Sequence, residues 1–148
     1  MLKIFVHSCI FIQSFKKPPT QEALELMDLI LKNYKEGRIN PYINLVVENE
    51  VIYVLTFKKK SKFDLKSLFR FITAFQFLEI TFEIRNLYKS FIENYHLKPN
   101  DALILATCKH YGIKYLISID SDFPEPCEKE GIVLIDSPEK LKEILKTQ

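Results

Sequence analysis

The sequence predicts a three-layer α/β/α sandwich with a mainly parallel central sheet. Two observations carry that expectation. Short, nearly continuous apolar runs occur at Leu2–Val6, Lys114–Ile119 and Ile132–Ile135, as expected of strands covered on both faces. Segments of helical period with recognisable caps lie between them, and such alternation builds a parallel sheet flanked by helices. At 148 residues the chain reads as one domain over 1–148, long enough for a sizeable core.

Taken in order, the first strand is Leu2–Val6. Pro18-Pro19-Thr20 then interrupts the chain. Thr20 is placed to cap a helix to about Lys35, and Gly37 to stop it. Asn40-Pro41 reads as a turn. Asn44 is placed to cap a helix from Leu45 to about Lys58, although the β-branched Val46, Val47, Val51, Ile52 and Val54 also suit a strand. Ser61–Phe75 reads as a helix dense in Phe, and Gln76–Ile80 as a strand. Thr81 is placed to cap a helix to about Tyr95. His96–Asn100 reads as a loop, Asp101–Tyr111 as a helix ended by Gly112, and Lys114–Ile119 and Ile132–Ile135 as the later strands. Ser137-Pro138-Glu139 opens a closing helix, with Ser as cap and Pro in the first turn. There is no internal repeat and no low-complexity linker.

Lys and Arg number 21 and Asp and Glu 19, so the net charge of +2 selects no partner. Three widely spaced cysteines, Cys9, Cys108 and Cys127, give no disulfide framework and fit a reducing compartment. The apolar N-terminus is interrupted by His7, Ser8 and Gln13, and no small-residue cleavage site follows. No apolar run approaches the roughly 18–20 residues of a membrane span. The expectation is a soluble cytoplasmic protein with no membrane partner.

Four carboxylates, Glu50, Asp101, Asp120 and Asp122, stand at the edges of apolar segments, where charge is costly unless something pairs with it. Several such groups converging would repel one another, and a bound divalent cation relieves that. On a helix from Leu45, Glu50 shares a face with Val46, Val47, Tyr53, Val54 and Phe57, while Glu48, Asn49 and Thr56 lie opposite. A partly exposed helix with Glu50 reaching water fits the same spacing. Asp101 opens an apolar helix, a position that capping and the helix dipole also favour. Asp120 and Asp122 follow a buried strand. Ligands bind beyond the carboxyl ends of such strands, and Asp-Ser-Asp is also an ordinary turn.

Three stretches together resemble the PIN domain family of ribonucleases, which includes the VapC-type toxins. Leu97-Lys-Pro-Asn-Asp-Ala-Leu-Ile-Leu-Ala-Thr-Cys108 is similar to the family's "DA..AT" helix. Tyr115-Leu-Ile-Ser-Ile-Asp-Ser-Asp-Phe123 is similar to its "L.T.D.DF" strand end, and Val47-Glu-Asn-Glu-Val-Ile-Tyr-Val-Leu55 to its "V..E....L" helix. The ordered set spans nearly the whole chain. The resemblance implies a parallel sheet with acidic residues gathered at one edge. They would hold Mg²⁺ or Mn²⁺, which activates water against an RNA phosphodiester. It implies Glu50, Asp101 and Asp120 as catalytic, metal-holding carboxylates and Asp122 as an auxiliary ligand. Ser118 would orient a carboxylate or a water. RNA and an antitoxin protein are the implied partners.

The family's first strand normally ends in Asp followed by Thr or Ser. Here His7 stands in place of the Asp, with Ser8 beside it. Imidazole suits Mg²⁺ poorly, Mn²⁺ acceptably and Zn²⁺ better. His7 and Ser8 are therefore accessory candidates, with His7 a ligand, a phosphate contact or a space-filler. Two expectations follow: a metal-dependent ribonuclease, or a degenerate PIN domain that binds RNA or protein without turnover.

Read as strand residues, His7 and Cys9 share a face. Cys108 and His110 stand about 200° apart on a helix, which argues against a four-residue zinc site. Lys58, Lys59, Lys60 and Lys62, followed by Lys66 and Arg70, read as a solvated helix end or as a grip on RNA phosphates. Phe63, Phe69, Phe71, Phe75 and Phe77 read as core or as an interface, either with a second copy in a homo-oligomer or with an antitoxin.

Overall fold

The computed structural model describes residues 1–58 and 63–148. Five strands, β1 (Leu2–Val6), β2 (Ile39–Asn44), β3 (Gln76–Leu78), β4 (Tyr115–Ile117) and β5 (Val133–Ile135), form one sheet in the order β3-β2-β1-β4-β5. Every neighbouring pair is parallel. The helices are α1 (Ser8–Phe15), α2 (Gln21–Lys35), α3 (Leu45–Ile52), α4 (Leu65–Ile72), α5 (Phe82–Tyr95), α6 (Pro99–Tyr111), α7 (Pro124–Glu130) and α8 (Pro138–Lys146). They flank the sheet in an α/β/α sandwich. α2 packs on α1 and α8, and α6 packs on α5 and α3. Central β1 is fully covered at Ile4, Phe5 and Val6.

The strand order locates the site. The chain builds outward from β1 through β2 to β3, then returns to place β4 on the other side of β1. The order reverses between β1 and β4, and a crevice opens beyond their carboxyl ends, as in other open parallel sheets.

Three expected caps form hydrogen bonds. Asn44 accepts from the Val47 N–H, Thr81 from Ile84 and Ser137 from Lys140. Asn40-Pro41 is not a turn but part of β2, with Pro41 opposite Ile4. Ile39, Pro41 and Ile43 alternate inward, so burial of that face outweighs local turn preference. Helices α1 and α7 were not anticipated. α1 starts one residue after β1, before any turn signal, so His7 and Cys9 lie on a strand-to-helix junction rather than on a strand.

The helix expected to reach Lys58 is α-helical only to Ile52 and continues π-helically over Tyr53–Lys58. Its buried stripe is Val47, Val51 and Leu55. Glu50 therefore lies beside the core-facing stripe rather than within it, and its expected neighbours Tyr53 and Phe57 are exposed. The Phe-rich helix runs over Leu65–Ile72, and residues 61–62 of the expected span lie outside the described residues. Much of its aromatic surface is covered within the chain. Phe71 lies 5.1 Å from Phe15 and 6.0 Å from Phe11 between ring centroids, Phe75 lies 4.9 Å from Phe11, and Phe63 lies 5.8 Å from Phe15. Phe69 and Phe77 remain exposed. Among the described residues, no helix is long and apolar enough to cross a membrane.

Candidate metal centre

At the strand-order reversal lies a cavity of about 450 Å³, whose walls include His7, Ser8, Cys9, Glu50, Lys98, Asn100, Asp101 and Asp120. Four separate parts of the chain deliver its carboxylates and imidazole. His7 follows β1, Glu50 sits on α3, Asp101 lies in the first turn of α6, and Asp120 follows β4. α6 begins at Pro99, two residues earlier than expected, so Asp101 is a first-turn residue rather than the cap.

Each carboxylate is held by neighbours. The Ser8 hydroxyl donates to Glu50 Oε1 at 3.0 Å. Asp120 Oδ1 accepts from the Asp122 backbone N–H at 2.9 Å, and the Asp120 backbone N–H donates to Ser118 Oγ at 3.1 Å. Asp101, only 6% exposed, faces His7, with Nε2 to Oδ1 3.3 Å. A buried bond steadies the frame: Asn44 Nδ2 donates to Thr107 Oγ1 at 2.9 Å. That bond ties the start of α3, which carries Glu50, to α6, which carries Asp101. Asn44 was anticipated as a cap alone; its bond to Thr107, 63 residues away, has no local sequence signature.

His7 is buried, and both its ring nitrogens are engaged. Nδ1 lies 2.9 Å from Cys9 Sγ and 2.9 Å from Ser118 Oγ. Burial opposes charge on the ring, but the hydrogen bonds to Asp101 and Cys9, reinforced by their charges, outweigh it and raise the His7 pKa to about 10. Burial alone would raise the Cys9 thiol. The hydrogen bond and charge of His7, with further bonds from Ser118 and the Ile119 backbone, bring it below its ordinary value instead. His7 thus stands as a cation inside the acidic cavity, where it partly offsets the charge on Asp101.

A ring nitrogen of His7 and a carboxylate oxygen from each of Asp101 and Asp120 lie within 4.8 Å of one another. The protonated ring has no lone pair to offer, so the carboxylates of Asp101 and Asp120 would hold an ion there, with Glu50 on the same wall. A set of carboxylate oxygens fits a hard divalent cation. Asp122 is not on the cavity wall. Its carboxylate is half exposed and 3.9 Å from Lys98 Nζ, while its backbone N–H donates to Asp120 Oδ1 at 2.9 Å. Cys108 is buried and His110 exposed on α6, and neither joins the His7 cluster. Lys58 is exposed; Lys59, Lys60 and Lys62 lie outside the described residues.

A family profile described as the PIN domain matches residues 4–129. The chain belongs to the PIN domain family. It is 32% identical over 108 residues to Ribonuclease VapC2 of Methanocaldococcus jannaschii, an alignment covering 64% of this chain and 72% of that protein. Its fold is similar to a chain of a toxin–antitoxin complex from Klebsiella pneumoniae, with a TM-score of 0.67 at 20% identity, over 91% of this chain and 97% of that one. It is also similar to a chain of VapBC2 from Rickettsia felis, with a TM-score of 0.66 at 17% identity, over 90% and 98% of the two chains.

Proposed function

We propose that this PIN domain is a divalent-metal-dependent ribonuclease that cleaves RNA phosphodiesters, and that it is the cytoplasmic toxin of a toxin–antitoxin pair. The observation that carries the reading is the meeting of Glu50, Asp101 and Asp120 around one cavity at the strand-order reversal. Similarity to a VapC ribonuclease supports it.

In this reading Asp101, Asp120 and Glu50 hold Mg²⁺ or Mn²⁺. The cation, when bound, supplies Lewis-acid polarisation and charge neutralisation at the phosphate. The chain's own residues do the rest. Ser8 orients Glu50, Ser118 fixes the backbone at Asp120, and His7 positions Asp101. Lys98, on the cavity wall, attracts the phosphate backbone. Asp122 restrains Lys98 and fixes the loop after β4 rather than supplying a primary ligand. Of the five Phe residues behind the homo-oligomer expectation, Phe69 and Phe77 stay exposed, with Phe82 exposed as well, and light scattering in solution tests it. Cleavage of single-stranded RNA should need added Mn²⁺ or Mg²⁺ and should be lost in excess chelator; turnover that persists in chelator would contradict the proposal.

His7 motivates a second reading, a PIN domain that binds without turnover. A cation where the family has a carboxylate lowers the hold on any divalent ion. The readings separate on His7→Asp. If the parent protein is inactive and the variant cleaves RNA, the binding-module reading wins.

A further inference from the structure

Beside the acidic cavity lies a second hollow of about 320 Å³, lined by Leu45, Val46, Asn49, Ile80 and Asn100. Asn100 lines both hollows, so the two adjoin at one side chain. Their chemistry differs sharply. The first holds three carboxylates, an imidazole and Lys98. Among the described residues, the second has no ionisable side chain on its wall. Its apolar faces are open to solvent, with Leu45 55% and Ile80 38% exposed. Among the described residues, neither the Asn49 nor the Asn100 amide is hydrogen-bonded within the protein.

Apolar walls carrying two uncommitted amides fit a neutral, flat ligand with donors and acceptors on its edge. An unpaired nucleobase has that chemistry. Its faces are apolar, and an amide offers both a donor and an acceptor to its edge. Single-stranded RNA is read in this way, by bases splayed into pockets beside the backbone path. We infer that the hollow formed by Leu45, Val46, Asn49, Ile80 and Asn100 is a nucleobase subsite, holding a base adjacent to the phosphate that occupies the acidic cavity. This rests on the ribonuclease reading and adds to it a place where sequence preference is set. Val46 and Ile80 supply the contact surface. Asn49 reads the base edge. Asn100 stands between base and phosphate.

The test compares the wild-type protein with Asn49→Ala and Ile80→Glu on fluorescein-labelled single-stranded RNA. The RNA carries one abasic ribose, moved stepwise past the cleaved bond. Cleavage is measured with Mn²⁺, binding by anisotropy in chelator, and mass by light scattering. The wild-type protein should lose about tenfold in kcat/KM when the abasic position is adjacent to the cleaved bond. Both variants should start lower on intact RNA and be insensitive to the abasic position. If the wild-type protein cleaves but is indifferent to abasic positions, the subsite is wrong and the nuclease reading stands. If it neither cleaves nor binds RNA, both fall together. If Ile80→Glu changes the mass but keeps base dependence, the hollow is a contact between copies and the inference is overturned.

Discussion

Helix α6 begins in the acidic cavity and carries Cys108 in an apolar interior just before its exposed last turn, and these two regions treat polar groups in opposite ways. At the front, Asp101, His7 and Cys9 are largely buried yet linked to one another, and the Cys9 thiol is held below its ordinary value. Toward the back, Cys108 is fully buried, and burial reinforced by Cys127 pushes its thiol well up. Burial likewise raises Cys127 to about 12. Burial alone makes a thiol inert; burial beside a charged imidazole does the reverse. Polar side chains from distant elements are hydrogen-bonded to one another at the start of α6, whereas Cys108 sits in plain core.

The sharpest way to break this contrast is to change one residue at each end. Asp101→Asn should lower RNA cleavage about a hundredfold or more, judged against the 10–100-fold cost of losing even an outer-shell partner. Cys108→Ala should do the opposite, costing about 1–2 kcal/mol of stability as a small core truncation and leaving turnover per folded molecule intact. Urea unfolding and single-turnover assays separate the two. Equal loss of turnover from both would erase the distinction.

The three thiols offer a second comparison within one experiment. Under native conditions iodoacetamide should alkylate Cys9 more than about tenfold faster than Cys108 or Cys127, because thiolate is the nucleophile. Peptide mass spectrometry reads the order. His7→Asn should slow Cys9 toward the others. Uniform labelling would show that the His7 contact does not activate the thiol.

The His7 proton gives a pH signature. Its pKa rises from about 6.5 unfolded to about 10 folded, so the folded state binds the proton more tightly. Its contribution to stability is complete below about pH 6.5 and is lost as pH climbs to about 10. Urea midpoints measured in chelator should therefore decline over that range through this group, and His7→Asn should lack that part of the decline. Matching slopes in the two proteins would place the His7 proton elsewhere.

Much of the fold was legible because local chemistry and tertiary packing agreed. Asn44, Thr81 and Ser137 cap where they were expected to, and β1 is buried at every residue except Lys3. Asn40-Pro41 failed because a turn-forming pair was overridden by pairing of Ile39–Asn44 with β1. α1 was missed because Ser8–Phe15 follows β1 with no breaker between them. At the site, Glu50, Asp101 and Asp120 stood out as costly charges at apolar edges, and all three line one cavity. The Ser8–Glu50 and Asn44–Thr107 bonds join residues 42 and 63 apart, a separation that no window of sequence reveals. Asp122 looked equivalent to Asp120 in the sequence, but a two-residue step along the turn leaves its carboxylate beside Lys98.

That pair sets the smallest expected effect. Asp122→Asn should change cleavage by less than about threefold, in line with the modest worth of an exposed ion pair, whereas Asp120→Asn should approach the loss seen for Asp101→Asn. Comparable losses at 120 and 122 would return Asp122 to the primary ligands.

The central claim is that carboxylates from α3, α6 and the end of β4 share one cation. Anomalous diffraction from crystals soaked in Mn²⁺ tests it most directly. A single manganese peak within about 2.0–2.6 Å of oxygens from Asp101 and Asp120, with Glu50 bound directly or through one water, is the predicted result. A protein that cleaves RNA under those conditions with no manganese in the cavity, or with its manganese elsewhere, would contradict it.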